Sequence, residues 1–189
     1  MSTLLSTVRV LVVDDNQHMR SIVAAVLAGV GVQHVRECCD GAEALEALRQ
    51  WPADVAIVDF QMQPIDGAEF TRLVRNAGDS PNPFLPIIML TGYAERTRVE
   101  EARDAGVTEF VVKPVTARAV LDRLNAVISR PRAFVRTSDY FGPDRRRRQD
   151  PNYMGPWRRN DDDEKGLGGE APAAAPQPGA PPSSATGTS

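Results

Sequence analysis

Five times between residues 8 and 128 a short aliphatic, β-branched run gives way to a longer stretch whose apolar positions recur at helical spacing. The first run, Val8-Arg9-Val10-Leu11-Val12-Val13, is apolar at nearly every position, as a strand covered on both faces must be. Met19, Ile22, Val23, Val26, Leu27 and Val30 then fall on one face of a helix, with Gly29 and Gly31 marking its end. The alternation continues with strands over residues 33–38, 54–58, 87–90 and 110–112, the first of these the weakest. Helices follow over residues 41–49, 67–76, 95–105 and 116–128. Strands alternating with helices in this way form βαβ units, and βαβ units build a parallel sheet. Right-handed crossovers then place helices on both faces. The chain is therefore expected to fold as an α/β, doubly wound, five-stranded parallel sheet with five helices.

Such open sheets carry ligands beyond the carboxyl ends of their strands, near the point where strand order reverses. The residues standing just after strands one, three, four and five are Asp14-Asp15, Asp59, Thr91 and Lys113-Pro114. Taken singly, each has a plain structural explanation. An aspartate after a strand caps the next helix or makes a turn, and a strand-end lysine points to water. Taken together, they fall on one edge of one sheet. Three carboxylates brought within a few ångströms repel, so their pKa values rise or a cation neutralises them. Mg²⁺ is the hard divalent ion that suits one or two carboxylates, waters and a phosphate. Lys113 offers positive charge to incoming phosphoryl oxygens, and the Thr91 hydroxyl can follow the new charge. The set reads as phosphoryl transfer onto an aspartate.

Acidic pair, acceptor, hydroxyl and lysine, in that order and context, make residues 8–128 similar to the receiver domain of bacterial two-component response regulators. The likeness is to the chemotaxis-regulator-like, stand-alone form. It implies strand order 2-1-3-4-5 and Asp59 as the phosphoacceptor. It further implies Asp15 as a direct Mg²⁺ ligand, Asp14 acting mainly through water, and the backbone carbonyl of Gln61 completing the metal shell. Thr91 and Lys113 would bind the phosphoryl group, and the Lys113–Pro114 bond would be cis. Phe110 matches the switch aromatic that swings inward as the threonine moves, with Gly92 leaving room; its plain alternative is a core residue. The implied partners are a histidine kinase or phosphotransfer protein as donor, and an output protein met by the surface of the fourth helix, fifth strand and fifth helix. The implied role is signalling rather than enzymatic, beyond assisting its own phosphorylation and dephosphorylation.

The sequence departs from the family in places. After Asp59 the usual Met-Pro-x-Met-Asp-Gly is replaced by Met62-Gln63-Pro64-Ile65-Asp66-Gly67. The proline stands one place later, which alters the backbone near Gln61 but leaves Asp66-Gly67 to open the helix. Gln61 and Tyr93 occupy positions that, in the family, influence attack of water on the aspartyl phosphate. A bulky Tyr93 would shield the phosphoryl group, so slow autodephosphorylation is expected.

Charge divides the rest of the chain. Residues 1–130 carry a net charge of −4 and residues 131–160 a net of +5, after which residues 161–164 are all acidic. Residues 166–189 are mostly Gly, Ala, Pro and Ser with one charge, Glu170, and cannot bury a core. The expected division is a receiver domain over 1–130, an Arg-rich extension over 131–165 and a disordered tail over 166–189. Within the extension, Tyr140-Phe141-Gly142-Pro143-Asp144-Arg145-Arg146 recurs as Tyr153-Met154-Gly155-Pro156-Trp157-Arg158-Arg159. Gly-Pro sets a turn that can present the arginines after it, and Arg147-Arg148 lengthen the first copy. An arginine fork matches phosphate or the edge of guanine, and neighbouring rings add stacking platforms.

Over this short span the chain resembles receiver proteins whose arginine-rich extensions bind cyclic di-GMP. The candidate nucleotide-binding set is Tyr140, Arg145, Arg146, Arg147, Arg148, Trp157, Arg158 and Arg159. Contact with nucleic acid or the ribosome, docking to an acidic protein surface, and a solvated run with no ligand remain open beside it. In the competing reading of the whole chain, this tail is the main sensor and the receiver a scaffold.

Other classes are excluded. The longest apolar run, residues 21–32, is about half the roughly 20 residues a membrane helix needs. The start has no basic segment ahead of an apolar core and cleavage site. Adjacent Cys38 and Cys39 cannot build a disulfide framework, and two histidines are too few for a His-rich metal site. No amphipathic helices follow Arg130 from which a helix-turn-helix could be made. A cytoplasmic protein with neither membrane insertion nor a DNA-binding output domain is expected.

Overall fold

The computed structural model describes residues 5–92 and 96–144. Along the chain run β1 (Arg9–Val13), α1 (Gln17–Gly29), β2 (His34–Cys38), α2 (Gly41–Gln50), β3 (Val55–Asp59) and α3 (Gly67–Asn76). They are followed by β4 (Ile87–Thr91), α4 (Arg96–Ala105), β5 (Glu109–Val112) and α5 (Ala117–Ser129). The first five strands form one parallel sheet in the order β2-β1-β3-β4-β5. This is the doubly wound order expected, with element ends within one or two residues of those read from the hydrophobic pattern.

Side chains alternate across a strand, and here the alternation divides the core in two. Val10, Val12, Val55, Ile57, Ile88 and Leu90 pack with Val23 and Leu27 of α1 and with Val120, Leu124 and Val127 of α5. Leu11, Val13, Ala56, Val58, Ile87 and Met89 face the other way, against α2, α3 and α4 through Ala44, Leu48, Phe70, Val74 and Ala102. β3 and β4 are buried along their whole length, whereas the edge strands β2 and β5 are only partly so. That difference explains why residues 33–38 carry the weaker apolar pattern: an edge strand needs only one covered face.

Local chemistry starts the helices. Asn16 caps α1 by accepting from His18 N at 3.0 Å and Met19 N at 3.3 Å. Asp40 caps α2 at Glu43 N, and Glu43 reaches back to accept from Cys39 N, the residue before the cap. Asp66 caps α3 at Glu69 N, and Thr116 caps α5 at Ala119 N. Gly67 begins α3 because a Cβ there would collide with the carbonyl of Asp59 and the sulfur of Met89. Cys38 is buried, Cys39 exposed, and both are free thiols. Among the described residues no helix is long and apolar enough to cross a membrane.

Folded structure continues past residue 130. β6 (Phe134–Arg136) and β7 (Phe141–Pro143) form an antiparallel hairpin, with Val135 opposite Gly142. The rings of Phe134 and Phe141 meet that of Phe84 edge-on at 5.2 and 5.3 Å. Arg132 donates through Nη1 to the carbonyl of Thr108 at 3.1 Å and through Nη2 to that of Asp144. The hairpin is thereby attached to the amino-terminal edge of the sheet, where β4 and β5 begin. Arg145–Arg148, Trp157, Arg158, Arg159 and the whole of residues 166–189 lie outside the described residues.

Candidate phosphoacceptor site

Sheet register assembles the site. Val13 pairs with Val58, Asp59 with Leu90, and Thr91 with Val112. Each strand therefore ends one step from its neighbour, and Asp14, Asp59, Thr91 and Lys113 arrive at a common rim. Lys113 N donates to the carbonyl of Thr91 at 2.7 Å, which fixes the start of the β5–α5 loop against β4. The Lys113–Pro114 peptide is cis, as the family resemblance implies, and Gln63–Pro64 is cis as well.

Carboxylate atoms of Asp14, Asp15 and Asp59 lie within 4.8 Å of one another. Asp14 is fully buried, Asp59 is 6% exposed, and Asp15 faces solvent. The Lys113 ammonium sits 2.9 Å from Asp59 Oδ1 and 3.6 Å from Asp14 Oδ2. Burial pushes the Asp59 carboxyl above the ordinary carboxylate range; Lys113 pulls it back, and the Asp14 charge adds to the rise. Asp14 Oδ1 accepts from Asn16 N at 2.9 Å, while Asp14 Oδ2 is buried with no hydrogen-bond partner.

That orphaned oxygen tests the set for a metal. A buried acceptor without a donor costs about 1–3 kcal/mol, more when it is charged. A divalent cation among three carboxylates removes the cost without a proton donor. The residues present fit Mg²⁺, with Asp14, Asp15 and Asp59 as its anionic neighbours.

Two local features keep the aspartates available. Helix α1 is capped by Asn16, so neither Asp14 nor Asp15 is consumed as a cap. Arg20 holds the backbone of the pair, donating through Nη1 to the carbonyl of Asp14 at 2.8 Å, and pairs with Glu37 at 3.5 Å. The sequence reading did not single out Arg20. Its position one helical turn past the acidic pair was the available signal.

Other expected residues are placed as follows. Thr91 is 4% exposed and its hydroxyl donates to the carbonyl of Gly92 at 3.3 Å, a long local bond that leaves it little tied. Phe110 is half-buried and packs against the core on the α2–α4 side. Gln61 lies on the β3–α3 loop and lines an open depression together with Asp15, Phe60, Met62, Gln63, Asp66 and Glu101. Tyr93 lies outside the described residues. Tyr140, expected among nucleotide-binding residues, donates its hydroxyl to the carbonyl of Pro143 at 2.8 Å within the hairpin.

A parallel sheet of this order with three carboxylates, a lysine and a hydroxyl at its rim defines a receiver-type site. The family model described as the response regulator receiver domain matches residues 10–125, and the chain belongs to that family. It is 33% identical over 122 residues to the chemotaxis protein CheY-3 of Vibrio cholerae, covering 65% of this chain and 92% of that protein. It is 34% identical over 122 residues to CheY of Pseudomonas aeruginosa, covering 65% and 97%. Among solved structures, CheY4 of Vibrio cholerae superposes with a TM-score of 0.59 at 34% identity, covering 64% of this chain and 98% of that one. These relatives are matched almost end to end by the receiver portion alone.

Proposed function

We propose that the protein is a single-domain response regulator that accepts a phosphoryl group on Asp59 from a histidine kinase or phosphotransfer protein. The observation that carries this reading is the Lys113 ammonium 2.9 Å from Asp59 Oδ1, beside a buried carboxylate oxygen that has no donor of its own. Asp14, Asp15, Asp59 and the backbone carbonyl of Gln61 would hold Mg²⁺, which supplies charge neutralisation between the attacking carboxylate and the phosphoryl oxygens. An Asp59 carboxylate oxygen forms the new bond to phosphorus as the bond from phosphorus to the donor's imidazole nitrogen breaks. The imidazole leaves with the electron pair and a proton from solvent. Lys113 exchanges its contact with Asp59 for one with a phosphoryl oxygen, and the Thr91 hydroxyl turns from Gly92 toward another.

Signalling would then pass by protein contact, with Phe110 following the space that Thr91 leaves and the exposed Val112 beside it on the outer edge of β5. The protein acts as an acceptor whose phosphoryl group is the signal, rather than as a catalyst on a separate substrate. Incubation with acetyl phosphate and Mg²⁺ tests the reading by intact mass. The wild-type chain gains one phosphoryl group and Asp59→Asn gains none; equal labelling of both would overturn it.

A further inference from the structure

At the end of the sheet opposite Asp59, the hairpin packs against Gly106, the residue that follows α4. Helix α4 stops before Gly106, whose φ of +100° only glycine adopts without strain, and the turn closes as Gly106 N donates to the carbonyl of Arg103 and Val107 N to that of Ala102. The carbonyl of Gly106 is held by the Arg75 guanidinium, through Nε at 3.2 Å and Nη2 at 3.0 Å. Nη1 of the same group donates to the carbonyl of Pro83 at 2.9 Å. Phe134 of the hairpin covers the guanidinium, its ring centroid 5.0 Å from Cζ. Arg75 is 2% exposed, and burial pulls its pKa down to about 10, so it remains a cation at neutral pH.

The fit between hairpin and helix end has no slack. A Cβ on Gly142 would lie 2.9 Å from the Cα of Gly106, and one on Gly106 would lie 3.1 Å from the carbonyl oxygen of Phe141. Backbone therefore lies close to backbone, with the side chains of Tyr140 and Arg75 packed beside the contact. Packed contacts of this kind hold or release; they do not stretch continuously. Only residues 92–95 separate Thr91 from the start of α4. Through described residues, β4 joins Thr91 to Ile87, whose amide donates to the Thr108 hydroxyl at 3.1 Å, and the carbonyl of Thr108 is held by Arg132 at the base of the hairpin.

We propose that the hairpin over Phe134–Pro143 is a clamp on the carboxyl end of α4, closed in the unphosphorylated protein and loosened when Thr91 follows a phosphoryl group on Asp59. The inference rests on the phosphoacceptor reading above. The first Tyr-x-Gly-Pro copy is then an anchor rather than a ligand contact. Tyr140 closes it by donating to Pro143, Gly142 makes the close approach, and Asp144 N donates to the carbonyl of Ala133 at 2.7 Å. In the sequence, the arginine run begins at the residue that follows Asp144.

Hydrogen exchange on the full chain, with and without beryllofluoride and Mg²⁺, tests the clamp. Exchange over residues 134–144 should quicken about tenfold with beryllofluoride and stay unchanged in Asp59→Asn. Altered exchange at residues 87–92 with unchanged or slower exchange in the hairpin would overturn the clamp alone. No change anywhere would overturn the phosphoacceptor reading with it. Coupling is reciprocal, so Tyr140→Phe, which deletes one hydroxyl and keeps the ring, should bind beryllofluoride roughly two- to tenfold more tightly. Equal affinity in a Tyr140→Phe chain whose hairpin exchanges faster than wild type would also overturn it.

Discussion

Asp14 at the carboxyl end of the sheet and Arg75 near its amino end are both sealed from solvent, yet their charges are met in opposite ways. Arg75 places all three of its guanidinium nitrogens on backbone carbonyls and a ring over its face. Carbonyls from two loops meet each nitrogen, and the Phe134 ring of the hairpin covers the face. Asp14 shares its surroundings with two other carboxylates and one lysine, and one of its oxygens has no donor. A buried charge whose needs are met holds a fold together. A buried charge whose needs are unmet makes a candidate site for an ion or a phosphoryl group.

The sharpest way to break this contrast is to truncate Arg75. Arg75→Ala strands the carbonyls of Gly106 and Pro83 and opens a cavity beneath Phe134, and should cost roughly 3 kcal/mol in urea denaturation. A loss under 1 kcal/mol would mean that the amino pole is held by the aromatic cluster alone.

The opposite sign is expected at the other pole. In metal-free buffer Asp14→Asn removes a buried charge that lacks a donor, and should raise stability by about 1 kcal/mol. Saturating Mg²⁺ should reverse the ranking, because ligand at a hundred times its dissociation constant adds about 2.7 kcal/mol to a chain that binds it. A wild-type chain whose melting temperature ignores Mg²⁺ would sink this half of the contrast.

Acid titration separates the poles further. Because the folded state holds the Asp59 proton to higher pH than the unfolded state does, it binds more protons between the two values. Stability should therefore decline as pH rises from the ordinary carboxylate range through the raised folded value, and level off above it. In metal-free urea titrations Asp59→Asn should lack that decline, so its advantage over wild type grows across the window and is then constant. Parallel curves for the two chains would show that Asp59 is not perturbed.

The smallest effect serves as a control. Arg72 and Glu101 link α3 to α4 by an exposed ion pair at 3.2 Å, and Arg72→Gln should change stability by less than about 0.5 kcal/mol. A larger loss would show that the joint between these helices depends on surface charge as well as on the buried Arg75 cradle.

Most of the sheet and its rim could be read from residues alone, because the signals are local. Val10 to Val13 declares a doubly covered strand by composition, Asp66-Gly67 a helix start, and the acidic pair stands next to the strand that carries it. Asn16 was equally legible as a cap and would have shown that the two aspartates were not needed for that task. The hairpin was not legible. Residues 131–144 look like the start of an arginine-rich extension, and three-residue strands are too short for a periodic signal. Tyr140 and Gly142-Pro143 read as a turn presenting arginines; in the fold Tyr140 also donates to the carbonyl of Pro143, and Gly142 lies against Gly106.

The order of elements, their caps and the chemistry offered at each strand end were therefore determined by neighbours in the chain, over distances of a few residues. The burial of Arg75, the missing donor at Asp14 and the seat of the hairpin were decided only by the tertiary structure. Each depends on partners far along the chain, such as Arg75 with Gly106, Asp14 with Lys113 and Arg132 with Thr108. Periodicity records which face of an element is apolar, but says nothing of which distant carbonyl or carboxylate will be packed against it.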